Sequence, residues 1–344
     1  MRSRLPYRAA LVAVAFALGF YGSVPAPLTA RAQKVEKIDP LPSWNEGAAK
    51  TAILDFVART TKEGSPDFVP APERIAVFDN DGTLWPENPL PFELAFTFDA
   101  AKARVAKKPE LKDTPAYKAL AEGDISALAA DHHKLLMQLA LDTHAGMTTD
   151  EFHKSVADWI ATAKHPRYKR LYADCTFLPM QEALKLLRAN GYKTFIVSGG
   201  TVEFMRVWAE KVYGIPPEQV VGTTFKTKYA LVDEKPALTI LPEIALIDDK
   251  AGKPVGIQQF IGRRPVMCFG NSDGDHEMLQ WTTVGRKPSF GLIVHHTDGD
   301  REYAYDAKPK SSGKLVEALE AAPKRGWTVV DMKKDWKQVF TSEK

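Results

Sequence analysis

Residues 75–85 read Ile-Ala-Val-Phe-Asp-Asn-Asp-Gly-Thr-Leu-Trp, and no other segment constrains the fold as tightly. Four consecutive apolar residues, 75–78, predict a short strand buried on both faces, the mark of a parallel sheet. The strand runs into Asp79, Asn80 and Asp81, and Gly82 ends it. In extended backbone, residues two apart point the same way, so Asp79 and Asp81 are expected to face one site. That site falls at the carboxyl end of the strand, where open α/β sheets bind ligands. Two carboxylates held together out of water repel, and persist where a cation or a reaction uses them. The plain alternative is an ordinary Asp-Asn-Asp-Gly turn with solvated acids.

Three later segments bear on that choice. Residues 180–190 carry a helical stripe (Ala183, Leu184, Leu186, Leu187) ended by Asn190-Gly191. A strand over 192–198 follows and closes on Ser198-Gly199-Gly200, and residues 202–212 again read as helix. Strand, Ser-Gly-Gly, helix outlines a phosphate cradle: the Ser198 hydroxyl and the Gly199 amide can donate to phosphate oxygens. The same tripeptide is also a routine strand-to-helix turn. Residues 265–279, Pro-Val-Met-Cys-Phe-Gly-Asn-Ser-Asp-Gly-Asp-His-Glu-Met-Leu, form a second apolar strand ending in Gly and acids before a helix. Between these segments Lys253 stands just before a helix start with Pro254 in its first turn; Lys250 is the other lysine in reach.

The four segments resemble, in order and spacing, the motifs of the haloacid dehalogenase (HAD) superfamily, phosphoserine-phosphatase-like branch. The resemblance implies a Rossmann-like parallel sheet flanked by helices, an α/β HAD core with an inserted helical cap. It makes Asp79 the nucleophile, forming an aspartyl-phosphate, and Asp81 the acid that protonates the leaving group and later activates water. An acid at position 81 favours phosphoryl transfer over carbon–halogen cleavage, because an alkoxide leaving group needs a proton. Ser198, Gly199 and Lys253 are implied phosphate ligands. A magnesium ion (Mg2+) is implied at Asp79, Asp81, Asn271 and Asp275. Asn271 departs from the pattern, which has an acid there; a neutral amide oxygen is the weaker ligand. Either Asn271 coordinates through its carbonyl oxygen, or Asp273 or Asp275 takes part of the load, and Asn271→Asp is expected to keep or tighten metal binding.

Arg2, Arg4 and Arg8, an apolar run over 9–24 and Ala30-Arg31-Ala32 predict a cleaved signal peptide over 1–32. The expected location is therefore periplasmic or secreted, with no stable membrane anchor after cleavage. The formal charge of +3 becomes −1 once the four leader arginines are removed, which leaves no electrostatic footprint for nucleic acid. The remaining chain divides into an N-terminal extension with a helix (33–71), the core (72–88 and 175–344) and a helical cap (89–174). Within the cap, helices are expected over 92–106, 116–121, 125–143 and 149–164. A hairpin is expected from 219–228 and 230–241, and further strands over 291–295 and 328–331. Cys175 and Cys268 read as free thiols.

Three features read as background. His132-His133 and His295-His296 lack partners at ligand spacing. Residues 296–300 read as an acidic surface loop. Glu87 lies where phosphoserine phosphatases use a Glu, but one residue early, and is expected to be a solvated loop acid. The reading is an exported Mg-dependent hydrolase of a small phosphomonoester. Its rivals are a phosphotransferase or mutase of the same fold and a catalytically weak periplasmic phospho-ligand-binding protein, which Asn271 favours.

Overall fold

The computed structural model describes residues 38–341, so the leader over 1–32 lies outside the described residues. The apolar run becomes β1 (Ile75–Phe78), buried at every position. It is the centre of a seven-stranded sheet with β2 (Lys193–Thr201), β3 (Val220–Val232), β4 (Lys235–Leu246), β5 (Met267–Gly270), β6 (Phe290–His295) and β7 (Thr328–Asp331). The order is β4-β3-β2-β1-β5-β6-β7. Every pair is parallel except β3–β4. Phe78 pairs with Phe269 of β5 and with Ile196 of β2. The rings of Phe78 and Phe269 stack at 4.3 Å. The residues after Phe78, Phe269 and Val197 therefore emerge side by side at the carboxyl edge.

Helix α1 (Ala48–Thr61) packs on the sheet through Phe56, whose ring meets Phe290 at 5.4 Å. Residues 39–71 belong to the same compact unit as the core. The chain then makes the helical block α2 (Phe92–Lys107), α3 (Pro115–Glu122), α4 (Ile125–His144) and α5 (Thr149–Ile160). This block has a small core of its own, including Phe98, Tyr117, Leu120 and Leu139. Helix α5 opens on a capping box between Thr148 and Glu151 and stops four residues short of the expected end. It is tied to the core by backbone: the Gly146 amide donates to the Ile240 carbonyl and the Ile240 amide to the Met147 carbonyl, both at 2.9 Å.

Helix α6 (Leu178–Ala189) leads into β2. Beyond β2 the single helix expected over 202–212 is two short ones, α7 (Val202–Arg206) and α8 (Ala209–Tyr213). The break falls at Trp208, whose indole is buried against Trp85 at 4.1 Å. Here packing overrides the helical stripe. The hairpin is longer than expected and turns at Asp233-Glu234, both with positive φ, as a two-residue hairpin turn requires. Tyr229, which falls between the two expected strands, is paired in the ladder with Leu238. The rest comprises α9 (Gly252–Gly256), α10 (His276–Thr283), α11 (Glu317–Arg325) and α12 (Met332–Asp335). Cys175 and Cys268 are buried and free. Among the described residues no helix is long and apolar enough to cross a membrane.

The two ends of the described chain are joined. Trp44 and Trp336 form an antiparallel bridge, flanked by Asn45 N–H to the Asp335 carbonyl and Lys337 N–H to the Ser43 carbonyl, both 2.8 Å.

Candidate active site

The carboxyl edge of β1 carries a cluster of buried polar side chains, among them Asp79, Asn80 and Thr83. Asp79 continues the ladder, its amide donating to the Phe269 carbonyl at 2.9 Å. The loop then folds on itself: the Asn80 carbonyl accepts from Thr83 and Leu84, and the Gly82 amide donates to the Trp85 carbonyl. Gly82 sits at φ +76, and a β-carbon there would fall 2.1 Å from Asn271 Nδ2. Only glycine fits this turn. The Trp85 indole N–H donates to Asp81 Oδ1 at 2.6 Å, which fixes the second acid beside the first. Trp85 is otherwise buried against Phe92 and Trp208.

Lys253 reaches this edge from α9. Its Nζ lies 2.8 Å from Asp79 Oδ1 and 2.6 Å from Asp275 Oδ1, and it is 2 % exposed. The other oxygen of Asp275 accepts from the Asn271 amide at 2.9 Å and the Ser272 amide at 3.1 Å. Asp275 thus orients Lys253 and closes the loop after β5. Lys250 is exposed and donates its own amide to the Gly274 carbonyl. Asp273 faces away from the cluster, capping α11 through the Val316 and Ala318 amides.

β2 delivers Ser198 to the same edge, buried, with its Oγ accepting from the Gly200 amide at 3.3 Å. Gly199 is exposed beside it, its carbonyl accepting from Thr223. From α2, Glu93 accepts from the Thr201 amide at 2.7 Å and so joins the helical block to the Ser-Gly-Gly turn. Asp79, Asp81, Ser198, Gly199, Lys253, Asn271 and Asp275 therefore lie along one edge, with Asp79, Lys253 and Asp275 in direct contact.

Two expectations fail here. Glu87 is 4 % exposed, not solvated. Its Oε1 accepts from Asn271 Nδ2 at 2.7 Å and from the Tyr305 hydroxyl at 2.8 Å. The segment 296–300 is not simply a surface loop. His296 and Asp298 are buried; His296 bonds Glu302 at 2.9 Å and the Gly82 carbonyl at 2.7 Å, with Tyr305 stacked on its ring. The C-terminal part of the chain thus forms the back wall of the Asp79–Trp85 loop. A Glu between Pro86 and the Asn88-Pro89 pair gives no local sign of burial, because its partners lie 184 and 218 residues away.

Burial draws His296 down, but the charge and hydrogen bond of Glu302, with Glu87 and the Gly82 carbonyl, hold it above the ordinary histidine value. A histidine raised in the fold stabilises fully below its unfolded pKa of about 6.5, and that stability is lost as pH rises through the folded value. The melting temperature is therefore expected to fall with rising pH above about 6.5, and His296→Gln to flatten that slope. Parallel melting curves against pH for the two proteins would count against the pairing.

The remaining shifts share one cause. Burial, then the charge of Asp275, push Asp79 well up against the pull of Lys253. Burial also pushes Asp81 to about 7, against the Trp85 bond and with Glu87 and Glu93 adding to it, and Asp248 to about 7. Burial raises Glu87 against the charge of His296. Carboxyls outnumber cations at this edge. Among the described residues no group of three or more His, Cys, Asp or Glu is arranged to hold a metal. The oxygens against Lys253 are instead the carboxylates of Asp79 and Asp275, and the loop after β5 adds the Asn271 side-chain oxygen, which accepts from Thr83. Hard oxygens with surplus negative charge suit magnesium, which takes few protein ligands and keeps water.

The sequence matches the family model described as haloacid dehalogenase-like hydrolase over residues 76–280. No curated protein matches. Among solved structures, a functionally unknown protein from Anaerococcus prevotii is similar at 18% identity and TM-score 0.53, covering 72% of this chain and 86% of its own. One of unknown function from Bordetella pertussis is 16% identical over 76% of this chain and 99% of its own, with TM-score 0.48. A probable phosphoserine phosphatase from Vibrio cholerae is 14% identical over 76% of this chain and 68% of its own, with TM-score 0.36.

Proposed function

The chain belongs to the haloacid dehalogenase-like hydrolases, and from that premise we propose that it is an exported, magnesium-dependent phosphatase acting on a small phosphomonoester. One observation carries the reading: Asp79, at the end of β1, is held by a buried lysine that Asp275 orients, with a second acid two residues on. The basic and apolar leader supports export.

Lys253 holds Asp79 Oδ1 and neutralises part of the charge that an incoming phosphate meets. The free oxygen of Asp79 attacks phosphorus in line; the new O–P bond forms as the ester P–O bond breaks. Asp81, held by Trp85 and protonated in part near neutral pH, gives its proton to the departing alkoxide. As a carboxylate it then takes a proton from water, which attacks phosphorus, releases phosphate and restores Asp79. Ser198 and the Gly199 amide hold phosphoryl oxygens. Magnesium, when bound by Asp79, the Asp81 carbonyl and Asn271, supplies electrostatic stabilisation of the transferring group. Asp275 acts through Lys253.

The test is hydrolysis of p-nitrophenyl phosphate by the purified protein with magnesium and with EDTA; no turnover with any divalent metal counts against the proposal. Asp81→Asn refines it. Because kcat/KM reports steps up to phosphoenzyme formation, it is expected to fall by about 10^2–10^4-fold for an alkyl phosphate. p-Nitrophenolate leaves without a proton, so for that ester the fall should be much smaller. Equal losses for both esters would remove Asp81 from the acid role.

A further inference from the structure

Glu87 is a buried carboxylate whose hydrogen-bond donors, Asn271 Nδ2 at 2.7 Å, the Tyr305 hydroxyl at 2.8 Å and Ser312, are all neutral, with the charge of His296 acting on it beyond them. A buried anion without a bonded cation is costly, and it lies against a loop that already carries Asp79 and Asp81. A β-carbon on Gly82 would meet Glu87 Oε1 at 2.4 Å and Asn271 Nδ2 at 2.1 Å, so both side chains press on the backbone that follows Asp81. On its other side the Asn271 carbonyl oxygen accepts from Thr83 Oγ1 at 3.0 Å. A carboxylate only accepts hydrogen bonds, so the Asn271 NH2 must face Glu87 and its oxygen must face Thr83. The amide can be held only one way round.

We propose that Glu87 is a positioning residue of the cation site: it fixes the Asn271 oxygen in place and supplies the negative charge that Asn271 lacks. The inference rests on the magnesium reading of the site. The pair works as a divided carboxylate, with the oxygen on one residue and the charge on its neighbour, and outer partners of this kind set affinity by orientation as well as charge. It also adds a cost to Asn271→Asp in the metal-free protein. A second carboxylate at position 271 would stand at hydrogen-bond distance from Glu87, with only the charge of His296 to set against two buried anions when no metal is bound.

The experiment measures magnesium binding, not turnover, by titration calorimetry and by the fluorescence of the protein. The set is the unaltered protein, Asp79→Asn, Glu87→Gln, Asn271→Asp and the double variant Glu87→Gln/Asn271→Asp. Glu87→Gln keeps size and an accepting oxygen, and is expected to weaken magnesium binding by about 10–100-fold. Asn271→Asp is expected to lower the metal-free melting temperature. The double variant, which moves the charge from 87 to 271, is expected to bind magnesium more tightly than Glu87→Gln and to melt above Asn271→Asp. Affinity unchanged in Glu87→Gln but lost in Asp79→Asn overturns the role of Glu87 and leaves the metal reading standing. Additive effects in the double variant overturn it too. No magnesium binding by the unaltered protein overturns the metal reading itself, and this inference with it.

Discussion

Asp79→Asn is expected to lower turnover of any phosphomonoester by about four orders of magnitude or more, the scale of removing one member of a covalent catalytic unit. Asparagine keeps the shape of the side chain, and its amide cannot form the phosphoenzyme. The loss should fall on kcat and kcat/KM together, because no later step can begin. Folding should survive the change. The substitution removes one buried carboxyl from an edge that has too many, and Lys253 keeps Asp275 at 2.6 Å. Rapid acid quench and mass spectrometry should place a phosphoryl group on Asp79 in the unaltered protein and none in the variant. A variant that still turns over at a tenth of the normal rate would move the nucleophile elsewhere.

Lys253→Met is expected to have the largest effect on stability. It leaves Asp79 and Asp275 facing each other without the cation between them, in a site where Lys253 is 2 % exposed. Removing one partner of a buried charge cluster costs about 3–5 kcal/mol. Urea unfolding gives this directly. The companion variant Lys253→Met/Asp275→Asn removes one of the stranded acids and should recover part of the loss. Activity should be lost in both. A Lys253→Met protein as stable as the unaltered one would mean that the lysine is present for chemistry alone and that water reaches the two acids.

The parts of this fold that were legible in the sequence are those set by local pattern. The apolar runs before Asp79 and Asn271 became β1 and β5, and the stripe at Ala183–Leu187 became α6, because burial on a parallel sheet demands just such runs. Lys253 could be singled out from Lys250 by its helix start. What was not legible depends on distant partners. The helix over 202–212 breaks because Trp208 has Trp85 to pack on. Glu87 and the His296–Glu302 pair look like loop polarity until residues far away along the chain close over them. Asn271 was visible as a departure, but the residue that gives it meaning was not. A charged residue in a proline-bounded loop carries no signal of what will cover it.

The bridge between Trp44 and Trp336 has a consequence for assembly of the chain. Asn45 and Lys334, bonded in that strip, are 289 residues apart in sequence. Closing a flexible loop of that length costs about 5 kcal/mol of chain entropy, more than a few hydrogen bonds return. The strip therefore forms only after the sheet has already brought its two halves close, as the clasp on a finished ring. It also gives both sides one fate: losing residues 43–45 or 334–337 opens the clasp for the other side, and loosens α1 and β7 together.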